Sequence, residues 1–297
     1  MRMESTVAGR PMMLKLAAFS ELTRPRVTLA VTLTAAAGFY LASSAKLDIL
    51  LLLHTLVGTT LLSGGAAVLN QFLEREADGK MQRTCTRPLP SGRVGETDAV
   101  IAGGILIVSG SLYLALLTNL LAAFLGCVTS VLYLFVYTPL KKKTPVCLTI
   151  GAIPGAIPPL IGWAAAKGSL DFHAFLLFAI LFTWQFPHFL AISWIYREDY
   201  KRAGFAMLSS TDPDGKRTGR RILAYTIALL VLSVWPATAG LTGMVYLMGA
   251  VLLGSAFLWF GFEAALVRTT TSARHVLVAS VVYLPLLLIL MVIDKNV

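Results

Sequence analysis

The sequence predicts an all-α, polytopic membrane protein with about nine transmembrane helices in one bundle, around a central cavity open to the cytoplasmic side. Hydrophobic residues make up 57% of the chain and charged residues only 13%, whereas soluble domains carry about 25% charged residues. Nine apolar segments reach or approach the roughly 20 residues that a spanning helix needs. Their predicted ranges are 27–43, 49–72, 99–118, 120–140, 146–166, 172–194, 222–240, 243–266 and 275–293.

The distribution of basic residues supports the same topology. With the N-terminus in the cytoplasm, 22 of the 25 Lys and Arg residues fall on the cytoplasmic side, and only Lys46, Lys167 and Lys295 fall on the other. Short cytoplasmic loops of membrane proteins carry such an excess. Eight or ten spans would break this alternation. We therefore expect a multi-pass protein of a bacterial-type inner membrane, with its N-terminus in the cytoplasm.

Residues 1–297 are expected to form a single transmembrane domain, without a second, soluble domain among them. Residues 1–25 are predicted to be a cytoplasmic or interfacial segment. A signal peptide is not indicated, because the apolar stretch from Met12 to Ala18 is short and is interrupted by Lys15.

The charge and cysteine content argue against a nucleic-acid-binding protein and against a cysteine metal site. The net charge of +10 is spread over several loops and fits a membrane with anionic lipids. No nucleic-acid module is visible, so we expect no nucleic-acid partner. Cys85, Cys127 and Cys147 lack the spacing of metal ligands and are expected to be free thiols.

The most informative stretch follows the second apolar segment. Asn70, Glu74 and Asp78 are spaced i, i+4, i+8, so a helix places all three on one face at a membrane border. Three oxygen ligands on one face suit Mg²⁺ and the diphosphate that it neutralises. An ordinary solvated helix end is the competing interpretation. Basic residues follow directly: Lys80, Arg83 and Arg87.

A second polar cluster follows the sixth segment. His188 and Asp199 are eleven residues apart, almost three helical turns, so one continuous helix would point both the same way, with His188 about 16 Å deeper. Pro187 is expected to kink that helix. Asp199 would meet a metal–phosphate group near the surface, and His188 would face the membrane interior. A hydrogen-bonded structural histidine is the alternative for His188.

A third element ends the fourth segment: Tyr137-Thr138-Pro139-Leu140-Lys141-Lys142-Lys143. Lysines at such a position are a common topology signal. They also lie where they can hold an anionic diphosphate.

These pieces together resemble the intramembrane, UbiA-type prenyltransferase superfamily, and within it the protohaem IX farnesyltransferase (haem O synthase) family. The resemblance covers nearly the whole chain. Its matching motifs are Leu22-Thr23-Arg24-Pro25-Arg26, the Asn70/Glu74/Asp78 pattern with Lys80-Met81-Gln82-Arg83-Thr84, Arg87-Pro88-Leu89-Pro90-Ser91-Gly92, Tyr137-Thr138 with Lys141, Gly155 to Trp163, and Pro187-His188-Phe189 followed by Tyr196, Asp199-Tyr200, Ala203-Gly204 and Met207-Leu208.

Some positions depart from the superfamily pattern. Glu74 stands where the first motif usually has Asp, which keeps the charge but reaches one methylene farther. Ile195 and Ala203 stand on either side of Asp199 where many members have a second Asp-x-x-x-Asp motif. This argues against the quinone-type branch and against a second complete metal site. Cys147 stands where haem O synthases often carry Asn.

The resemblance implies transfer of the farnesyl group of farnesyl diphosphate to a vinyl group of haem b, which forms haem O in the route to haem A. Haem b is then a substrate, and a haem A synthase is a candidate partner. The implied Mg²⁺ ligands are Asn70, Glu74, Asp78 and Asp199. The implied substrate-binding residues are Lys80, Arg83, Arg87, Tyr137, Lys141, His188 and Lys201, and Tyr196 is implied to stabilise the allylic cation.

Two other functions compete with this one. A related prenyltransferase would act on an aromatic acid or a chlorin. A membrane transporter would also carry charged groups within the membrane, but it would more often place them near mid-bilayer in broken helices. The acids of this chain cluster at one membrane face instead.

Overall fold

The computed structural model describes residues 15–44 and 46–296. Within them, nine helices are long and apolar enough to cross a membrane, as the sequence predicts. We number them α1 to α9: Pro25–Ala42, Ile49–Gly79, Glu96–Leu117, Leu120–Leu140, Cys147–Lys167, Phe172–Ile195, Lys216–Thr238, Met244–Val267 and Thr270–Ile293. The one β-type pairing in the described ranges is an isolated bridge between Thr242 and Lys295. The all-α fold class is therefore confirmed.

Two helices extend farthest beyond their predicted ends. α2 has 31 residues and ends at Gly79, seven residues past the predicted end. At 1.5 Å per residue it is about 46 Å long, well over the roughly 30 Å of a bilayer core. α7 begins at Lys216, six residues before the predicted start. Polar residues continue both helices past the apolar region, so hydropathy alone underestimates their length.

Helices α4 and α5 are both irregular. In α4, residues Leu132–Tyr137 form a π-helical stretch before the last turn, Thr138–Leu140. α5 consists of Cys147–Ala156 and Pro158–Lys167, because Pro158 follows Ile157 and supplies no N–H to continue the ladder.

The main hydrophobic core draws buried residues from all nine helices, and α1 and α5 pack closely within it. Gly162 lies against the carbonyl of Ala35, and Gly38 lies against the backbone of Pro159, so a Cβ at either glycine would collide with backbone. These close approaches let α1 and α5 pack without intervening side chains. Trp163 fills the space beside them with 2% of its surface exposed.

The alternating helices gather the loops at two ends of the bundle. We call the end formed by loops 80–95, 141–146 and 196–215 the basic end. Its loops are joined where Ala206 N–H donates to the Lys141 carbonyl at 2.7 Å. We call the end formed by loops 43–48, 118–119, 168–171, 239–243 and 294–296 the opposite end. There the Lys295 ammonium donates to the Tyr40 carbonyl at 2.9 Å.

The described part of the N-terminal segment packs against the basic end. Residues 15–22 are helical, and Ala18 and Leu22 are buried against Val68 and Leu89. Gln71 of α2 donates to the Leu22 carbonyl at 2.7 Å.

Candidate active site

The three oxygen-bearing residues of α2 lie buried on one face, in the turns that lead to the basic end. Asn70 is fully buried, Asp78 is 1% exposed and Glu74 is 5% exposed. The Asn70 amide donates from Nδ2 to Thr138 Oγ1 at 2.9 Å. Glu74 Oε1 accepts from Lys141 Nζ at 2.7 Å. Residues 70 and 74 of α2 thus pair with residues 138 and 141, at and just after the end of α4. We call these two pairs, together with the pair that Asp78 makes, the α2 ladder, and each pair a rung.

A third rung comes from the turn after α2. Asp78 Oδ2 pairs with Arg87 Nη1 at 2.7 Å, and Thr84 Oγ1 donates to the Asp78 carbonyl at 2.8 Å. Burial and the nearby Arg24 guanidinium lower the pKa of Arg87, while Asp78 opposes that shift. Positive charges therefore exceed negative charges around the Arg87–Asp78 pair.

Lys141 is the most enclosed cation of the site. Its side chain is 12% exposed, and its ammonium lies 4.5 Å from the ring centre of Tyr137. Burial alone would lower the pKa of Lys141, but the adjacent Glu74 carboxylate raises that pKa above its ordinary value. The ammonium is consequently charged at neutral pH.

Two oxygen atoms of this site are buried without a hydrogen-bond partner among the described residues. They are Asn70 Oδ1 and Asp78 Oδ1. Buried acceptors are normally paired, so each such atom indicates a missing donor or cation. Both atoms come from residues that the sequence predicts as Mg²⁺ ligands, and amide and carboxylate oxygens are the donors that Mg²⁺ prefers. The chemistry of the set therefore fits this ion.

Asp199 lies apart from that set. Its carboxylate accepts from the backbone N–H groups of Gln82 at 3.3 Å and Arg83 at 3.4 Å, and it also pairs with Arg202. Burial would raise the pKa of Asp199, but these donors lower it below its ordinary value. Both oxygens are thus engaged in holding the turn after α2 against residues 197–202.

The described ranges contain no group of three His, Cys, Asp or Glu side chains placed to hold a metal ion. In this arrangement Asp199 does not join Glu74 and Asp78, and the third oxygen donor near them is the Asn70 amide.

The predicted alignment of His188 with Asp199 is wrong. α6 ends at Ile195, and Tyr196 leaves the helical region with φ −107° and ψ 27°. Asp199 belongs to a separate short helix, Arg197–Arg202. Eleven-residue spacing therefore no longer places the two side chains on one face. Pro187 lies inside α6, and the kink expected there stays a prediction.

The remaining predicted diphosphate ligands lie around the rim of the basic end. The Arg83 guanidinium lies 4.8 Å from the ring centre of Tyr196. Lys80, Arg83 and Lys201 are exposed, so they are free to turn toward an anion. The structure brings Tyr137 and Lys141 to the α2 ladder, whereas Lys80, Arg83 and Lys201 lie outside it.

His188 is held by α9. Its Nδ1 lies 2.8 Å from Ser280 Oγ, and the Ser280 hydroxyl donates its one proton to the Leu277 carbonyl at 2.6 Å. Ser280 must then accept from His188, which assigns the proton to Nδ1 and leaves a lone pair on Nε2. The ring stacks on Trp184 with centroids 4.8 Å apart. This tautomer suits an imidazole that binds a metal through Nε2.

The other histidines make different contacts. His54 Nδ1 pairs with the Tyr113 hydroxyl at 2.9 Å, and His275 Nδ1 pairs with the Glu263 carboxylate at 3.1 Å. His173 Nε2 meets the Ala239 carbonyl at the opposite end at 3.1 Å.

Sequence reasoning missed two residues as members of the site, Thr138 and Ser280. Thr138 had a signal, because it lies beside Tyr137 and three residues before Lys141, which is one helical turn. Ser280 had none, since it is 92 residues from His188.

A nine-helix membrane bundle with buried acceptor oxygens and cations at one end defines an integral membrane protein whose basic end has chemistry suited to a cation and an anion. Comparison with known proteins identifies the kind: residues 31–282 match the UbiA prenyltransferase family, and the chain belongs to it. The protein is therefore a prenyltransferase.

Two curated relatives are similar to this chain over almost their full length. A protoheme IX farnesyltransferase of Solibacter usitatus is 48% identical over 286 residues, which cover 93% of this chain and 98% of that protein. One of Koribacter versatilis is 43% identical, covering 94% of this chain and 93% of that protein.

Solved structures share the fold. A digeranylgeranylglyceryl phosphate synthase superposes with a TM-score of 0.79 at 19% identity, covering 94% of this chain and 98% of that chain. A UbiA homolog from Archaeoglobus fulgidus bound to GPP and Mg²⁺ has a TM-score of 0.64 at 13% identity, covering 92% of this chain and 99% of that chain.

Proposed function

We propose that this protein transfers the farnesyl group of farnesyl diphosphate to a vinyl group of haem b, forming haem O and releasing diphosphate. The names of relatives up to 48% identical support this assignment. The structural observation that carries it is the buried ladder of α2, which pairs acids and cations and leaves two oxygens unpartnered among the described residues.

The reaction breaks the bond between the farnesyl C1 and its diphosphate oxygen, and the diphosphate leaves with the electron pair. C1 bonds to the terminal vinyl carbon, and water adds to the other vinyl carbon and loses a proton. Departure of the diphosphate requires compensation of its charge. Cations preorganised in a poorly solvated site provide such compensation far better than water does.

Asn70, Glu74 and Asp78 would hold Mg²⁺, which when bound neutralises the leaving diphosphate. Asp199 as a fourth ligand stays a prediction, because its oxygens now hold the turn at Gln82 and Arg83.

Lys141 and Arg87 act on the diphosphate directly. In the present arrangement each is paired with an acid, Glu74 or Asp78. With Glu74 and Asp78 holding Mg²⁺, both basic groups would be free to turn to the phosphate oxygens. Lys80, Arg83 and Lys201 on the rim complete the positive surroundings.

The allylic group lies beside aromatic faces. Tyr137 already contacts a cation, the Lys141 ammonium, and Tyr196 contacts Arg83. Aromatic faces stabilise positive charge, so these rings suit the developing allylic cation.

Haem b binds with its iron on His188. The support for this step is the hydrogen bond from Nδ1 to Ser280, which leaves the Nε2 lone pair for a metal.

The nine helices make this an integral multi-pass membrane protein. We place the basic end and the N-terminus in the cytoplasm, at a bacterial inner membrane with anionic lipids, and a haem A synthase as the partner that takes up haem O. Membrane-impermeant thiol reagents test the orientation. From the cytoplasmic side they should label the exposed Cys85 and should not label Lys46→Cys; the reverse pattern would overturn it.

The activity is tested with purified protein, haem b, farnesyl diphosphate and Mg²⁺, with the product identified by mass. A product with the mass of haem O is expected, and Asn70→Ala should not form it. Prenylation of an aromatic acid or a chlorin without any haem product would assign the chain to another prenyltransferase. Substrate movement across vesicles without prenyl transfer would indicate a transporter.

A further inference from the structure

We propose that Thr138 is a positioning residue that sets the orientation of the Asn70 amide, so that Asn70 presents its oxygen to a cation. The inference rests on the proposed function only for the presence of a cation at Asn70. Both side chains are buried, with Thr138 6% exposed and Asn70 fully buried. They belong to different helices, α4 and α2, so their contact depends on how the bundle packs.

The proton of the Thr138 hydroxyl determines which way the amide faces. Thr138 Oγ1 donates to the Tyr133 carbonyl at 2.8 Å. A hydroxyl has a single proton, so the same oxygen can only accept from Asn70. The amide must therefore turn its NH₂ group toward Thr138, at 2.9 Å. Its oxygen is left on the other side, buried and without a partner among the described residues.

The π-helical stretch explains why Thr138 is available for this contact. Within Leu132–Tyr137 the backbone adopts i→i+5 bonds, and the Thr138 N–H also bonds to the Tyr133 carbonyl. In an α-helix, the threonine hydroxyl would bond to the carbonyl of residue 134 instead. One additional residue in a turn rotates the remainder of the helix by about 100°. Such single-turn π segments occur frequently at functional sites.

The same rotation serves the next rung. Lys141 lies three residues after Thr138, on the same face of the last turn, and reaches Glu74. Asn70 and Glu74 are likewise one turn apart on α2. The π-helical stretch thus places Thr138 beside Asn70 and Lys141 beside Glu74.

An amide that binds a cation needs a neighbour that fixes its orientation, whereas a carboxylate does not. Asn can present either oxygen or NH₂ to a cation, and only the oxygen binds. Asp has two equivalent oxygens. In the Asp case the Thr138 oxygen, whose proton is committed to Tyr133, would face another acceptor and repel it. Thr138 should accordingly help a cation to bind when residue 70 is Asn and should not help when it is Asp.

The test measures Mn²⁺ affinity in the presence of inorganic diphosphate, from the electron paramagnetic resonance signal of free Mn²⁺. Thr138→Val should weaken Mn²⁺ binding by about 10- to 100-fold, the usual cost of losing a residue that orients a metal ligand. Thr138→Ser, which keeps the hydroxyl, should bind close to wild type. The matched control is Thr129→Val in the same helix, because Thr129 donates to its own helix at Leu125; it should leave Mn²⁺ binding unchanged.

The same measurement in the Asn70→Asp background separates orientation from a general structural role. There Thr138→Val should cause no loss of Mn²⁺ affinity relative to Asn70→Asp alone. An equal loss in both backgrounds, unchanged binding in Thr138→Val, or a loss in Thr138→Ser as large as in Thr138→Val would each overturn the proposal. Where Thr138→Val does not fold, Thr138→Ala replaces it with the same expectations. Neither haem nor farnesyl diphosphate enters this assay, so a failure of the proposed reaction leaves its result interpretable.

Discussion

The two polar ends of the bundle use similar side chains in different ways. At the opposite end, Lys295, Asn119 and Asn296 donate to backbone carbonyls of Tyr40, Ala164 and Gly240. Those contacts close helix ends and leave little chemistry available. At the basic end, Lys141 and Arg87 pair with buried carboxylates instead. An amide oxygen and a carboxylate oxygen there have no partner in the described part of the chain, whereas the unpartnered buried oxygen at the opposite end is the Thr242 hydroxyl.

This difference separates contacts that satisfy the helix ends from contacts that can serve a bound ligand. A cation on a backbone carbonyl satisfies a group that any helix end leaves unpaired. A buried ion pair contributes little net stability, because desolvation offsets much of the attraction. Buried ion pairs beside unpartnered oxygens are better explained by a ligand that binds to the same charged groups and replaces their contacts with each other. Matched variants at the two ends test this explanation.

The largest effect is expected at Asp78. Asp78→Ala removes a proposed metal ligand and leaves the Arg87 guanidinium without its carboxylate. We expect prenyl transfer to fall by about 10²-fold or more, measured as product formed per minute in detergent.

Asp171 at the opposite end is the matched control. It caps α6 by accepting from the N–H groups of His173 and Ala174 and pairs with Lys167. Asp171→Ala should lower stability by about 1 kcal/mol and leave turnover close to wild type. Near-normal turnover in Asp78→Ala would refute the assignment of the site.

Lys141 should give the second largest effect. Lys141→Met leaves Glu74 unpaired and removes a cation from the diphosphate, so KM for farnesyl diphosphate should rise roughly 10- to 100-fold, the equivalent of one charged hydrogen bond. Steady-state kinetics at saturating haem measure it.

Lys295→Met is the comparison at the other end, where the cation meets only backbone carbonyls and the Tyr40 ring among the described residues. It should reduce stability by about 2 kcal/mol without changing KM. A KM change as large as that of Lys141→Met would erase the distinction between the two ends.

The sequence predicts more of the α2 face than of its partners. Residues 70, 74 and 78 share a face because they are one turn apart, and only helix periodicity is needed to infer it. Thr138 and Arg87 meet that face through a π-helical stretch and a turn, neither of which has a clear sequence pattern. The His188–Asp199 prediction failed for the converse reason, since periodicity holds only while the helix continues, and α6 stops at Ile195.

A moderate effect is expected at His188, deeper in the bundle. His188→Ala should weaken haem b binding and change the haem absorption spectrum, while farnesyl diphosphate affinity should change little. Ser280→Ala should weaken haem binding by about tenfold, because the tautomer of His188 is no longer set.

His275 is the appropriate control, since its Nδ1 pairs with Glu263 and its side chain is 46% exposed. A normal haem spectrum in His188→Ala, or an equal loss in His275→Ala, would move the ligand assignment away from His188.

The smallest effect is expected at Asp199, whose carboxylate holds the turn that comes after the ladder. The pKa of Asp199 is lowered in the folded protein, below the about 3.9 of an unfolded chain. Its contribution to stability is therefore complete above about pH 4 and disappears as the pH falls through the folded pKa. Asp199→Asn keeps one acceptor oxygen but replaces the other with an NH₂ group, so one of the two hydrogen bonds from Gln82 and Arg83 is lost. Tm at pH 7 should therefore drop by about 2–4 °C. The Tm difference between wild type and variant, measured from pH 7 to pH 3, should shrink below about pH 4. A difference that stays constant or grows on acidification would show that the carboxylate charge does not hold this turn.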